Sequence, residues 1–69
     1  MTFPEKIKIP SDDTELILIS VYTTPKTGEQ TATYQYTKSK YHKGILTWNE
    51  KDFEKNVRKG IIVPYSSRQ

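Results

Sequence analysis

Thr47–Gly60, TWNEKDFEKNVRKG, decides the fold class. A start signal, an apolar stripe and a stop signal for a helix coincide there. Thr47 with Glu50 makes a capping box, whereas Asn49 as N-cap sets Trp48 against Phe53 as a hydrophobic staple. Either start leaves Glu50 and Asp52 in the first turn, where carboxylates meet the positive end of the helix dipole. Arg58 and Lys59 occupy the last turn, and Gly60 suits the left-handed position just past it. Phe53 and Val57 lie one turn apart and form a narrow apolar stripe. The pattern predicts a helix over about 48–59, held by the surface it packs on rather than by its own propensity.

Upstream, the chain reads as strand and turn. Ile45–Trp48 is a short strand running into the helix, and Lys38–Gly44, KSKYHKG, is a basic loop or strand extension. Thr31–Thr37 alternates cleanly, with Ala32, Tyr34 and Tyr36 on one face and Thr31, Thr33, Gln35 and Thr37 on the other. It is joined through the turn Thr24–Gly28 to Leu16–Tyr22, LILISVY. Pro25 presets the turn's φ and Gly28 accepts the left-handed conformation that a bulged hairpin loop needs. The continuous apolar run makes Leu16–Tyr22 the expected central strand, buried on both faces. Phe3, Ile7 and Ile9 alternate around Lys6 and Lys8 in a first strand, which Pro4 confines to an edge or to a start at Glu5. Ser11, Asp12 and Asp13 form the turn after it.

Downstream, Ile61–Val63 is a last short strand ended by Pro64, and Ser66–Gln69 is a tail expected to fray. The whole is one small domain, 1–69, of the α+β class. It combines a twisted, mostly antiparallel sheet of three to five strands with one C-terminal helix on one face. One helix covers one face only. The apolar strand has Leu16, Leu18 and Tyr22 on one side and Ile17, Ile19 and Val21 on the other. The second side therefore needs the N-terminal segment, sheet curling or a second protomer, or else it is an interaction patch.

Composition narrows the chemistry. The 69 residues include no cysteine and one histidine, which excludes disulfides and zinc sites built on Cys or on several His. A domain this small buries only roughly 60% of its unfolded surface, so packing or a partner must supply the stability. MTFPEKIKIP has no signal-peptide core, and no apolar run approaches the ~20 residues that span a bilayer. A cytoplasmic location without membrane association is expected. The net charge of +3 is uneven. Met1–Thr24 is acidic, and the basic excess lies beyond it, which suits a polyanion partner.

No nucleophile elbow or glycine-rich phosphate loop is present, and the carboxylates sit at a turn and a helix start. We expect no enzyme activity, cofactor, metal or small-molecule substrate. A strand continuing past Thr37 would set Tyr34, Tyr36, Lys38 and Lys40 on one face, as in a stacking platform for single-stranded nucleic acid. The helix competes for Tyr34 and Tyr36 as core. A core role leaves Lys38, Lys40, Tyr41, His42 and Lys43 as a basic loop beside the helix row Lys51, Lys55, Arg58 and Lys59. Those nine residues are the candidate contacts to DNA or RNA. The alternative partner is a protein, bound as by a small regulator or inhibitor, or a second copy, held on the apolar sheet face.

The order strand, Thr-Gly turn, strand, then Gly44-Ile45-Leu46-Thr47 leading to a helix resembles the small arm-site DNA-binding domains of phage-type integrases. That resemblance implies a three-stranded sheet docked in a major groove. The chain departs from it in carrying lysine and phenylalanine where a small helix residue would pack.

Overall fold

Successive strands pair with their neighbours until the helix intervenes. The computed structural model describes residues 3–65. β1 (Lys6–Ile9), β2 (Thr14–Thr23), β3 (Gln30–Lys38) and β4 (Ile45–Asn49) form an antiparallel meander. α1 (Glu50–Arg58) follows, and β5 (Val63–Tyr65) returns to pair with β1, giving the order β4-β3-β2-β1-β5. The fold is α+β and β2 is the central strand. The edge position is a correction: β1 lies between β2 and β5, so Pro4 marks a strand start and not an edge. The edge on that side is β5, and it contains Pro64 instead of ending before it. A proline is tolerated there because an edge strand has one side free of ladder bonds. The tail expected at Ser66–Gln69 lies outside the described residues.

Of the two expected starts the later one is found: the helix begins at Glu50, because β4 runs to Asn49. Asn49 is the N-cap, and its side-chain oxygen accepts from the Asp52 amide at 2.8 Å. Trp48 and Phe53 meet edge to face at 5.9 Å, so the staple forms and the Thr47 capping box does not. At the other end the Gly60 amide donates to the Val57 carbonyl and the Ile61 amide to that of Asn56. Gly60 takes φ 78°, which completes a Schellman stop. Replacing Asn49 by Ala leaves the Asp52 amide unpaired. The expected cost is about 1 kcal/mol, read as a lowered midpoint in urea with unchanged slope.

Ile7, Leu16, Ala32, Tyr34, Phe53 and Ile62 are sealed between helix and sheet, with Phe3 close behind. Phe53 is the hub. Its ring lies 5.3 Å from Phe3, 5.9 Å from Trp48 and 6.0 Å from Tyr34. The Tyr34 hydroxyl donates to the Pro4 carbonyl at 2.6 Å and ties the N-terminal segment over the core.

Two register shifts explain where simple alternation fails. Leu18 opposes Tyr34 and Ser20 opposes Thr33, which leaves Ile19 as the extra residue of a bulge. Beyond it the faces exchange. Val21 joins Ala32 and Trp48 on the helix side, and Tyr22 joins Thr31 on the open side, against the expected grouping of Tyr22 with Leu16 and Leu18. β2 is thus not buried on both faces. Ile19, Val21 and Tyr22 are all exposed. The second shift leaves Thr37 unpaired between Tyr36 and Lys38.

Candidate nucleic-acid interface

The shift at Thr37 decides the fate of the stacking platform. Tyr34 and Tyr36 point toward the helix, and Tyr34 is fully buried. Tyr34 therefore cannot stack on bases, and the core role wins. Lys38 pairs with Glu15 on the opposite, helix-free face, so it shares no face with the two tyrosines. Its ammonium lies 2.8 Å from Asp13, which Lys8 also approaches at 3.7 Å. The Lys38 ammonium beside Asp13 holds that carboxyl below the usual range, and Asp13 in turn raises Lys38. Both groups are solvent-exposed, so the pair is a weak tether that a phosphate can compete for.

The loop after β3 is organised by one hydroxyl. Ser39 Oγ accepts from the amides of Tyr41 and His42 at 3.4 and 3.1 Å, and the buried Thr14 hydroxyl donates to it at 3.4 Å. Lys40, Tyr41, His42 and Lys43 consequently project into solvent, although His42 stacks on the half-buried Tyr36 at 5.4 Å.

The helix row divides between the two ends of the sheet. α1 starts beside the β2–β3 hairpin, where the Gln30 amide donates to Glu50 at 3.0 Å. Lys51 lines an open depression there with Thr27, Gly28, Glu29, Glu50 and Glu54. The chain then returns to the other end of the sheet and enters β5 with Val63 opposite Lys8. Arg58 and Lys59 sit on that return, with Lys55 a turn behind them. Charge is therefore sorted along the strand direction. The hairpin end gathers Glu29, Glu50, Asp52 and Glu54 around Lys26 and Lys51. The loop end gathers Lys8, Lys38, Lys40, Lys43, Arg58 and Lys59 against Asp12, Asp13 and Glu15. Of the nine candidate contacts, Lys51 lies at the acidic end, away from the loop.

No known family, curated protein or solved structure matches this chain. The sheet has five strands, two more than the integrase-like resemblance implies.

The helix-free face is the feature that the sequence pattern places least well. One row crosses all five strands: Tyr65, Lys6, Ile17, Gln35 and Ile45. The ammonium groups of Lys6 and Lys8 stand 5.9 and 5.7 Å from the centre of the Tyr65 ring. The alternation of Lys6 and Lys8 signals their shared face. Tyr65 lies beyond the end that Pro64 suggests for the last strand, so no local signal sets it beside them. Among the described residues no helix is long and apolar enough to cross a membrane.

Proposed function

We propose that the protein is a small non-enzymatic accessory module of the cytoplasm that binds nucleic acid through the loop end of its sheet. The sorting of charge along the strands carries this reading. Lys8, Lys38, Lys40, Lys43, Arg58 and Lys59 collect at one end, while the acids of the helix start collect at the other. A phosphate backbone laid across the loop end neutralises several ammonium groups and avoids the acidic end. Tyr41, the most exposed aromatic at 75%, offers a ring for stacking beside those phosphates.

Binding of single-stranded and duplex DNA and RNA, measured at two salt concentrations, tests the proposal. Affinity should fall steeply with salt. Lys40→Ala with Lys43→Ala should weaken binding on every sequence and flatten the salt slope by about 1 for each lysine. Lys51→Ala should change neither. Absence of a complex at low salt, or affinity indifferent to salt, rejects the proposal.

A protein partner is the second reading. It is favoured by the exposed Ile45, Val63 and Tyr22 on the helix-free face, at 59%, 42% and 62%. Under that reading Ile45→Asp abolishes partner binding while the Lys40/Lys43 variant leaves it intact.

A further inference from the structure

The two edges of the sheet are built differently. β5 is three residues long and contains Pro64, which has no amide to offer a neighbour. β4 is five residues long, ILTWN, with no charge, no proline and no register shift against β3. These are the properties that natural edge strands usually avoid.

The ladder shows which groups of β4 are free. The Tyr36 amide donates to the Gly44 carbonyl at 3.1 Å, so Gly44 faces β3. Antiparallel bonding alternates, so Leu46 and Trp48 also bond to β3, and the amides and carbonyls of Ile45 and Thr47 point outward. We infer that this edge pairs with β4 of a second copy about a two-fold axis at Thr47, joining two sheets into one.

The register is self-complementary. Thr47 meets its own counterpart as a hydrogen-bonded pair, and Ile45 meets Asn49, so every outward group on the strand falls opposite another. On the helix side half-buried Leu46 meets Trp48 of the other copy, which extends the aromatic core across the junction. Two chains of net charge +3 need an uncharged contact, and β4 supplies one. Beyond the strands the axis brings Lys43 of one copy toward the first helical turn of the other, where Glu50 and Asp52 flank Lys51. The Pro64 edge cannot repeat the contact. The assembly closes at two chains instead of growing into a fibre. An unrelated extended peptide would satisfy the backbone but not this matched set of side chains. Dimerisation through β4 requires no nucleic acid.

Sedimentation equilibrium on the full chain should show a reversible monomer–dimer equilibrium with twice the 8.1 kDa chain mass and nothing larger. Thr47→Pro removes an outward amide that the monomer does not use, and Thr47→Lys sets like charges across the axis. Both should give monomers with unchanged circular dichroism. Hydrogen exchange on the unaltered chain supplies a readout that needs no variant. The Ile45 and Thr47 amides should be protected at high concentration and lose protection on dilution, while Leu46 and Trp48 stay protected throughout. A chain still monomeric at ~1 mM overturns the inference. So does a dimer in which the Ile45 and Thr47 amides exchange freely, or an open series of larger species.

Discussion

Phe53→Ala should leave the chain largely unfolded at room temperature. Phe53 is the only fully buried side chain that α1 contributes, and three other rings close on it. Truncating a sealed phenylalanine removes its transfer free energy and leaves a cavity, together about 3–5 kcal/mol. A domain of this length has a total stability of only about 3–10 kcal/mol. The loss is therefore comparable with the whole. No disulfide and no metal-ligand group of three or more acidic or histidine side chains among the described residues offsets it. Relaxation of the site is limited, because Tyr34 and Trp48 also pack on each other at 5.7 Å and are held in the paired strands β3 and β4. Near-ultraviolet circular dichroism, which reports packed aromatic rings, should collapse in the variant. A cooperative transition within about 1 kcal/mol of the unaltered protein would show that the cluster is not the keystone of the core. Phe53→Leu, which fills much of the space, should fold with a smaller loss.

The same cluster shows what is legible in the sequence. Trp48 and Phe53 can be paired from spacing alone, because a staple is a local device with fixed geometry around one N-cap. Gly60 is equally readable, since the stop uses backbone groups within one turn. The hairpin between β2 and β3 announces itself through Pro25 and Gly28. The failures all involve bulges or pairing between distant segments. Nothing in LILISVY marks Ile19 as an extra residue, and a single unpaired position reverses the faces of everything beyond it. The bulge at Thr37 likewise moves Lys38 from the tyrosine face to that of Glu15. Pro4 and Pro64 exchange roles because edge position depends on β5 returning to β1, a contact between the two ends of the chain. The charge sorting is half visible. The lysines of the loop can be grouped by sequence, but their separation from Lys51 requires the direction in which α1 crosses the sheet.

Tyr34 should give the molecule an alkaline limit. Burial pushes its phenol up to about 12 from the ordinary value of 10.0. The cause is desolvation, which penalises the phenolate inside the core. The protonated form is thus favoured in the folded state. An unfolded chain begins to release this proton near pH 10, while the folded one holds it until about pH 12. Stability from this group is complete below pH 10 and is lost as pH rises between those values. For a fully sealed phenol, holding the proton over that interval is worth about 2.7 kcal/mol. The Tyr34 hydroxyl donates to the Pro4 carbonyl in a contact that is only part-buried, which reduces the figure to about 1–2 kcal/mol. Other tyrosines and the lysines titrate in the same range, so the Tyr34→Phe variant isolates the contribution. Near neutral pH that variant should be less stable by about 1–2 kcal/mol, because the Pro4 carbonyl loses its donor. From pH 10 to 12 its deficit should shrink by a similar amount, since phenylalanine has no proton to lose. Urea midpoints for the two proteins across that range measure the gap directly. A constant gap would mean that Tyr34 ionises as readily in the folded protein as in the unfolded chain.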